Sequence, residues 1–247
     1  VSVAICHAFP IQLIPKISQG QDVTPSTFYP WYAALSIIRN DEKVSLCGAF
    51  LVHKSFAMTA AHCVDELTSS DSVGLYFHVT LAQGGETLYN THLPYRHIGV
   101  DAIEVHHAYT SQPYFKADIA LLHLEDGVDI TPLRINWDGL DTMQAGHDLR
   151  VIGYGQDSYG NRNLPLRTAV LPLIKENQCV CSSECDDYRW PIEFVQGDFC
   201  AGYREGDSEC NDDSKCPDVC SGDSGSPLFD ETGVVGVVSR GELGCGS

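Results

Sequence analysis

Apolar residues in this chain fall in short runs broken by glycine and proline, and the 3.6-residue spacing of an amphipathic helix is scarce. Six runs stand out: Trp31 to Ile38, Gly48 to Thr59, Val73 to Leu81, Ile119 to Leu124, Leu149 to Tyr154 and Val234 to Ser239. Such runs between turn-forming residues predict short strands, and so an antiparallel sandwich or barrel. The pattern alone does not choose between the two. No tandem repeat or low-complexity linker interrupts it, and no apolar run approaches the roughly 18 residues of a membrane span.

Composition narrows the setting. A chain of 247 residues can bury a core without covalent help, yet it carries 11 cysteines. That number points to an oxidising, extracellular compartment and a secreted protein. Lys and Arg total 15 against 33 Asp and Glu, a formal charge of −18. Phosphate backbones and anionic membrane surfaces would repel such a chain, so nucleic acid and membrane are not expected partners. Basic protein or peptide substrates would be attracted.

Three short stretches carry the chemistry: Thr59-Ala60-Ala61-His62-Cys63, Asp118-Ile119-Ala120-Leu121 and Gly222-Asp223-Ser224-Gly225-Ser226-Pro227. A serine hydroxyl is a poor nucleophile at neutral pH. It needs a base to take its proton, and the base needs a carboxylate to fix its tautomer. His62, Asp118 and Ser224 supply one of each, in that order. Apolar residues follow Asp118, so the carboxylate stands at the mouth of a buried strand and needs a partner. From about Ile17 onward the sequence resembles the trypsin/chymotrypsin family of serine proteases.

The resemblance implies an all-β fold of two antiparallel six-stranded β-barrels with the active site between them. The first barrel would span about 17–137 and the second about 138–247, with the boundary in the polar connection Asn136 to Asp141. It implies a secreted endopeptidase made as a zymogen and cutting after Arg or Lys. Ser224 would be the nucleophile, His62 the general base, and the amides of Gly222 and Ser224 the oxyanion hole. Asp218, six residues before Ser224, would lie at the base of the specificity pocket and pair with a basic side chain. Ser239, Arg240 and Gly241 match the segment that pairs with substrate backbone. Arg240 departs from the usual tryptophan, and would either select acidic substrate side chains or point into solvent. His106 and His107 also lie in a matching stretch, as packing or surface residues.

Residues 1–16 read as a signal remnant and short activation peptide. Cleavage after Lys16 would free the amine of Ile17 to pair with Asp223, and an activating protease and protein inhibitors are the further expected partners. The family pattern pairs Cys47 with Cys63, Cys179 with Cys200 and Cys220 with Cys245. Cys181, Cys185, Cys210 and Cys216 would make two extra bonds, with pairing open; Cys6 would leave with the signal peptide. Asp65 to Asp101 and Cys179 to Cys220 read as enlarged surface loops. No cofactor is expected, and no metal, because zinc-type Cys or His pairs and calcium-loop spacing are not evident. Family members continue beyond Gly244-Cys245-Gly246-Ser247 with a strand and a helix, so the second barrel reads as truncated at its C-terminus. Two rivals follow. One is an impaired homologue acting as a protein-binding module. The other is a serine esterase, which the histidine-first order disfavours.

Overall fold

A computed structural model of the chain describes residues 2–5, 17, 20–23, 28–40, 42–78, 80–81, 87–88, 96–111, 115–155, 165–174, 197–203 and 217–241. The strands are β1 (Ser2–Ile5), β2 (Gln21–Asp22), β3 (Tyr32–Arg39), β4 (Glu42–His53), β5 (Phe56–Thr59), β6 (Asp71–Phe77), β7 (Thr80–Leu81), β8 (Thr87–Leu88), β9 (Arg96–Val105), β10 (Ala120–Leu124), β11 (Asp148–Gly153), β12 (Arg167–Ile174), β13 (Phe199–Ala201), β14 (Pro227–Asp230) and β15 (Gly233–Gly241). Among the described residues, no helix is long and apolar enough to cross a membrane.

Six of these strands form a closed barrel in the order β10-β5-β4-β3-β6-β9. The alternation that a barrel wall requires is plain in β10, where Ala120, Leu122 and Leu124 are buried while Leu121 and His123 are less so. With Leu35, Leu51, Ala57 and Leu75 they fill the interior, all at most 2% exposed. Each fully buried leucine contributes about 1.5–3 kcal/mol. The apolar run from Gly48 to Thr59 splits in two, because Lys54 and Ser55 form the turn between β4 and β5. The run from Val73 ends early as well: His78 takes φ 57°, which no strand accommodates, and β7 starts after it. Strand β9 begins inside the stretch read as an enlarged loop, and Ile98, Val100 and Ile103 pack on the core.

The other half is a seven-stranded sheet in the order β11-β14-β15-β1-β13-β12-β2, in which β11 also pairs with β12. Through that last pairing the six strands β11-β14-β15-β1-β13-β12 close a ring, with β2 attached to β12; the ring differs from the all-antiparallel barrel expected in the parallel pairing of β1. Strand β1, from residues read as leader and activation peptide, lies parallel to both β13 and β15. The two halves meet where the short helix α1 (Gly139–Thr142) follows the connection Leu133 to Asn136. There Asn136 N donates to Val234 O at 3.0 Å and Val234 N to Arg134 O at 2.8 Å. Inside the join, Tyr32 of β3 and Ser226 share a buried hydroxyl–hydroxyl hydrogen bond of 3.1 Å.

Candidate active site

His62 sits on a one-turn 3-10 helix, Ala61–Cys63, immediately after β5. The turn is pinned by a disulfide between Cys47 of β4 and Cys63, the pairing expected. A second hold comes from Asp118, which precedes β10. Its Oδ1 accepts from the backbone N of His62 at 2.9 Å, and its Oδ2 bonds ring Nδ1 at 2.7 Å. A third donor arrives from the other half of the molecule: Ser239 Oγ donates to Asp118 Oδ2 at 2.5 Å.

Asp118 is fully buried, which pushes its carboxyl pKa up. The hydrogen bonds from His62 and Ser239 more than offset this and hold it below the usual carboxylate range. An ionised carboxylate accepts only, so Nδ1 carries the proton and Nε2 presents a lone pair. Nε2 lies 3.9 Å from Cys63 Sγ. The imidazole is thus held in one orientation and one tautomer.

The loop carrying Ser224 is pressed against the histidine turn. Gly48 N donates to Ser224 O at 2.7 Å, Gly225 N to Val238 O at 2.8 Å and Ser226 N to Asp223 O at 3.0 Å. Gly225 has φ 80°, and a Cβ there would strike Thr59 Oγ1 and Gly48 O. Only glycine allows this approach. Gly222 also takes a left-handed φ, 99°. Ser224 is half-buried. Among the described residues, no hydrogen bond joins its hydroxyl to His62.

Asp223 is fully buried beneath this loop. Gly155 N donates to its Oδ1 at 2.7 Å and Cys220 N to its Oδ2 at 2.9 Å. Burial dominates nonetheless, and its pKa is pushed up to about 7. No cation among the described residues pairs with it. Ile17 is 1% exposed in the apolar core of the second half, with its carbonyl held by Gly20 N at 2.7 Å. Asp218 is buried beside Cys220, its Oδ1 accepting from Val219 N at 2.7 Å.

Arg240 departs from one of the two alternatives read from sequence. Its guanidinium does not point into solvent: it pairs with the carboxylate of Asp198 and donates from NH1 to Phe115 O at 2.9 Å. Sequence reasoning missed Asp198 and Phe115. The Phe115 ring lies on the imidazole of His62, centroids 5.0 Å apart and planes tilted 32°. Its position three residues before Asp118 was the one available signal. His106 and His107 are exposed and stacked on each other, 4.5 Å between centroids.

Cys47, His62 and Cys63 lie close enough to suggest a metal site, but both sulfurs are tied in the disulfide and offer no thiolate. Cys200 and Cys220 are each disulfide-bonded. Their expected partners Cys179 and Cys245, with Lys16, Cys6, Cys181, Cys185, Cys210 and Cys216, lie outside the described residues.

Comparison with known proteins points to one family of serine proteases. Residues 17–247 match the family model described as Trypsin. The chain is 26% identical to the CLIP domain-containing serine protease B10 of Anopheles gambiae, covering 85% of this chain and 58% of that protein. It is 27% identical to human Kallikrein-4, covering 94% and 79%. To the human Hepatocyte growth factor activator serine protease it is 29% identical, covering 95% of this chain and 34% of that protein. The chain therefore spans little more than half of the first relative and about a third of the last.

Proposed function

The chain belongs to the trypsin family of serine proteases, and from that premise we propose that it is a secreted serine endopeptidase, made as a zymogen and cutting after Arg or Lys. The observation that carries the catalytic part is the hold of Asp118 on His62. Two bonds to one residue fix both the position of the histidine and its tautomer, with Nε2 free to accept a proton.

In the reaction, Ser224 Oγ attacks the scissile carbonyl carbon while its proton passes to His62 Nε2. The tetrahedral oxyanion is stabilised by the amides of Gly222 and Ser224. The imidazolium, paired with Asp118, then protonates the leaving amine as the C–N bond breaks. Water repeats the sequence on the acyl-enzyme and restores Ser224. Asp218, a buried carboxylate close in sequence to the nucleophile, supports cleavage after a basic side chain.

Zymogen behaviour is supported by the setting of Asp223. A carboxyl whose pKa burial raises to about 7 is poised to receive a cation. The amine freed at Ile17 by a cut after Lys16 would supply it, drawing the loop of Gly222 and Ser224 into its working shape. A protein-binding role is the second reading, favoured by the missing bond between Ser224 and His62. Such bonds also tighten only when substrate arrives.

The test is a full chain cut after Lys16. It is expected to hydrolyse amides after Arg and Lys and to be acylated on Ser224 by a serine-directed phosphonate. Labelling that survives Ser224→Ala would remove Ser224 from the mechanism. A cut, folded chain that takes no label would favour the binding role. Equal cleavage after Arg and Leu would remove Asp218 from the pocket.

A further inference from the structure

Strand β15 sends two consecutive side chains across to the first barrel, which a regular strand cannot do, because successive side chains face opposite ways. The register against β1 explains it. Val3 pairs with Val238 and Ala4 with Arg240, so Ser239 is an extra residue, a bulge in β15. Bulges re-aim side chains beside active sites. Ser239 then reaches Asp118 Oδ2 and Arg240 reaches Phe115 O, and Asp118 and Phe115 both touch His62.

We propose that Arg240 is a positioning residue for His62: anchored by Asp198, it holds the Phe115 backbone so that the Phe115 ring stays seated on the imidazole. Arg240 is suited to this because its fork offers two donors at fixed separation, one for a carboxylate and one for a carbonyl. Asp198 is nearly fully buried, at 1% side-chain exposure, and Arg240 is mostly covered at 15%, so the anchor is shielded from water. Phe115 adjoins Lys116, which forms a bridge with Thr110. Without the clamp that bridge and the chain to Asp118 remain, but the ring is free to leave the histidine. The consequence for turnover rests on His62 being the general base; the placement of the ring does not.

The test reads both. The full chain is labelled at histidine, and the Cε1 proton resonance of His62 is followed by NMR. Phe115→Leu supplies the position of that resonance without the ring current. The paired substitution Arg240→Met with Asp198→Asn removes the ion pair as a unit, so no buried carboxylate is stranded. It is expected to move the His62 resonance to the Phe115→Leu position. In the chain cut after Lys16 it is expected to lower kcat about tenfold, with KM changed far less. Arg240→Lys keeps a charge for Asp198 but has one nitrogen where the fork has two, so its resonance should fall between. If the paired variant does not fold, Arg240→Lys decides alone.

A wild-type resonance position in the Arg240 variants, while Phe115→Leu shifts it, overturns the clamp. So does a Phe115→Leu resonance that never moves. If the resonances behave as expected but the cut wild-type chain hydrolyses nothing, the clamp stands and the enzymatic reading fails.

Discussion

At Asp118, burial favours the neutral acid and three hydrogen-bond donors favour the anion; the donors prevail. Asp118→Asn tests what the anion does. The asparagine oxygen is expected to keep the bond from His62 N, which turns its NH₂ toward Nδ1. That nitrogen must then accept, the ring proton moves to Nε2, and no base faces Ser224. Turnover at neutral pH is expected to fall by about 10⁴-fold with the fold intact by circular dichroism. A loss under tenfold would sink the tautomer argument. His62 and Asp118 were legible as residues because their neighbours are distinctive. Arg240 was not, because its partners Asp198 and Phe115 lie 42 and 125 residues away in sequence. No local pattern encodes such a pairing.

Among elements, β10 was the easiest to read, since its alternation is unbroken. Its central Leu122 lies opposite Ala57 of β5 and Ile103 of β9 and is wholly buried. Leu122→Ala is expected to cost about 2–5 kcal/mol, read as a lowered urea midpoint with unchanged slope. Since Asp118 enters β10 just before it, activity should fail at lower urea as well. Strand β12 was not legible: it carries Pro172, which has no N–H for a ladder and argues against a central strand. The structure accommodates it by using its carbonyl, which accepts from Gly202 N at 2.9 Å. The loop of Ser224 offers a sharper test. Gly225→Ala places a methyl where Thr59 Oγ1 and Gly48 O already lie, at a left-handed φ. It is expected to abolish phosphonate labelling in the cut chain and to destabilise the fold by roughly 1–3 kcal/mol. Full labelling would show that the contact between the two halves is dispensable.

For the whole molecule, Asp223 makes stability depend on pH in an unusual direction. Its folded pKa of about 7 lies above the ordinary 3.8, so the native state holds a proton that the unfolded chain gives up. That stabilisation is complete below about 4 and is lost as pH rises through about 7. Asp118 and Asp230, held below the ordinary carboxylate range, act oppositely and only at the acid end. The uncut chain is therefore expected to show a urea midpoint that falls between pH 5 and pH 8, and Asp223→Asn should flatten it. In the chain cut after Lys16, a cation beside Asp223 should remove the fall. A midpoint that rises with pH in the uncut wild-type chain would contradict the burial account.

Strand β1 carries a different consequence. It precedes the residues matched to the family, yet it is bonded on both sides within the sheet. A cut after Lys16 would sever the chain without emptying that place. Where residues 1–16 are still present at the cut, the released segment would be held by backbone hydrogen bonds to β13 and β15. Its retention would become a matter of concentration and time. At high protein concentration it should co-elute with the domain, and on dilution it should escape with a measurable half-life. A synthetic copy of residues 1–16 added back should restore whatever is lost. The same bond cleavage that frees the amine of Ile17 would turn one chain into a complex with a dissociation constant.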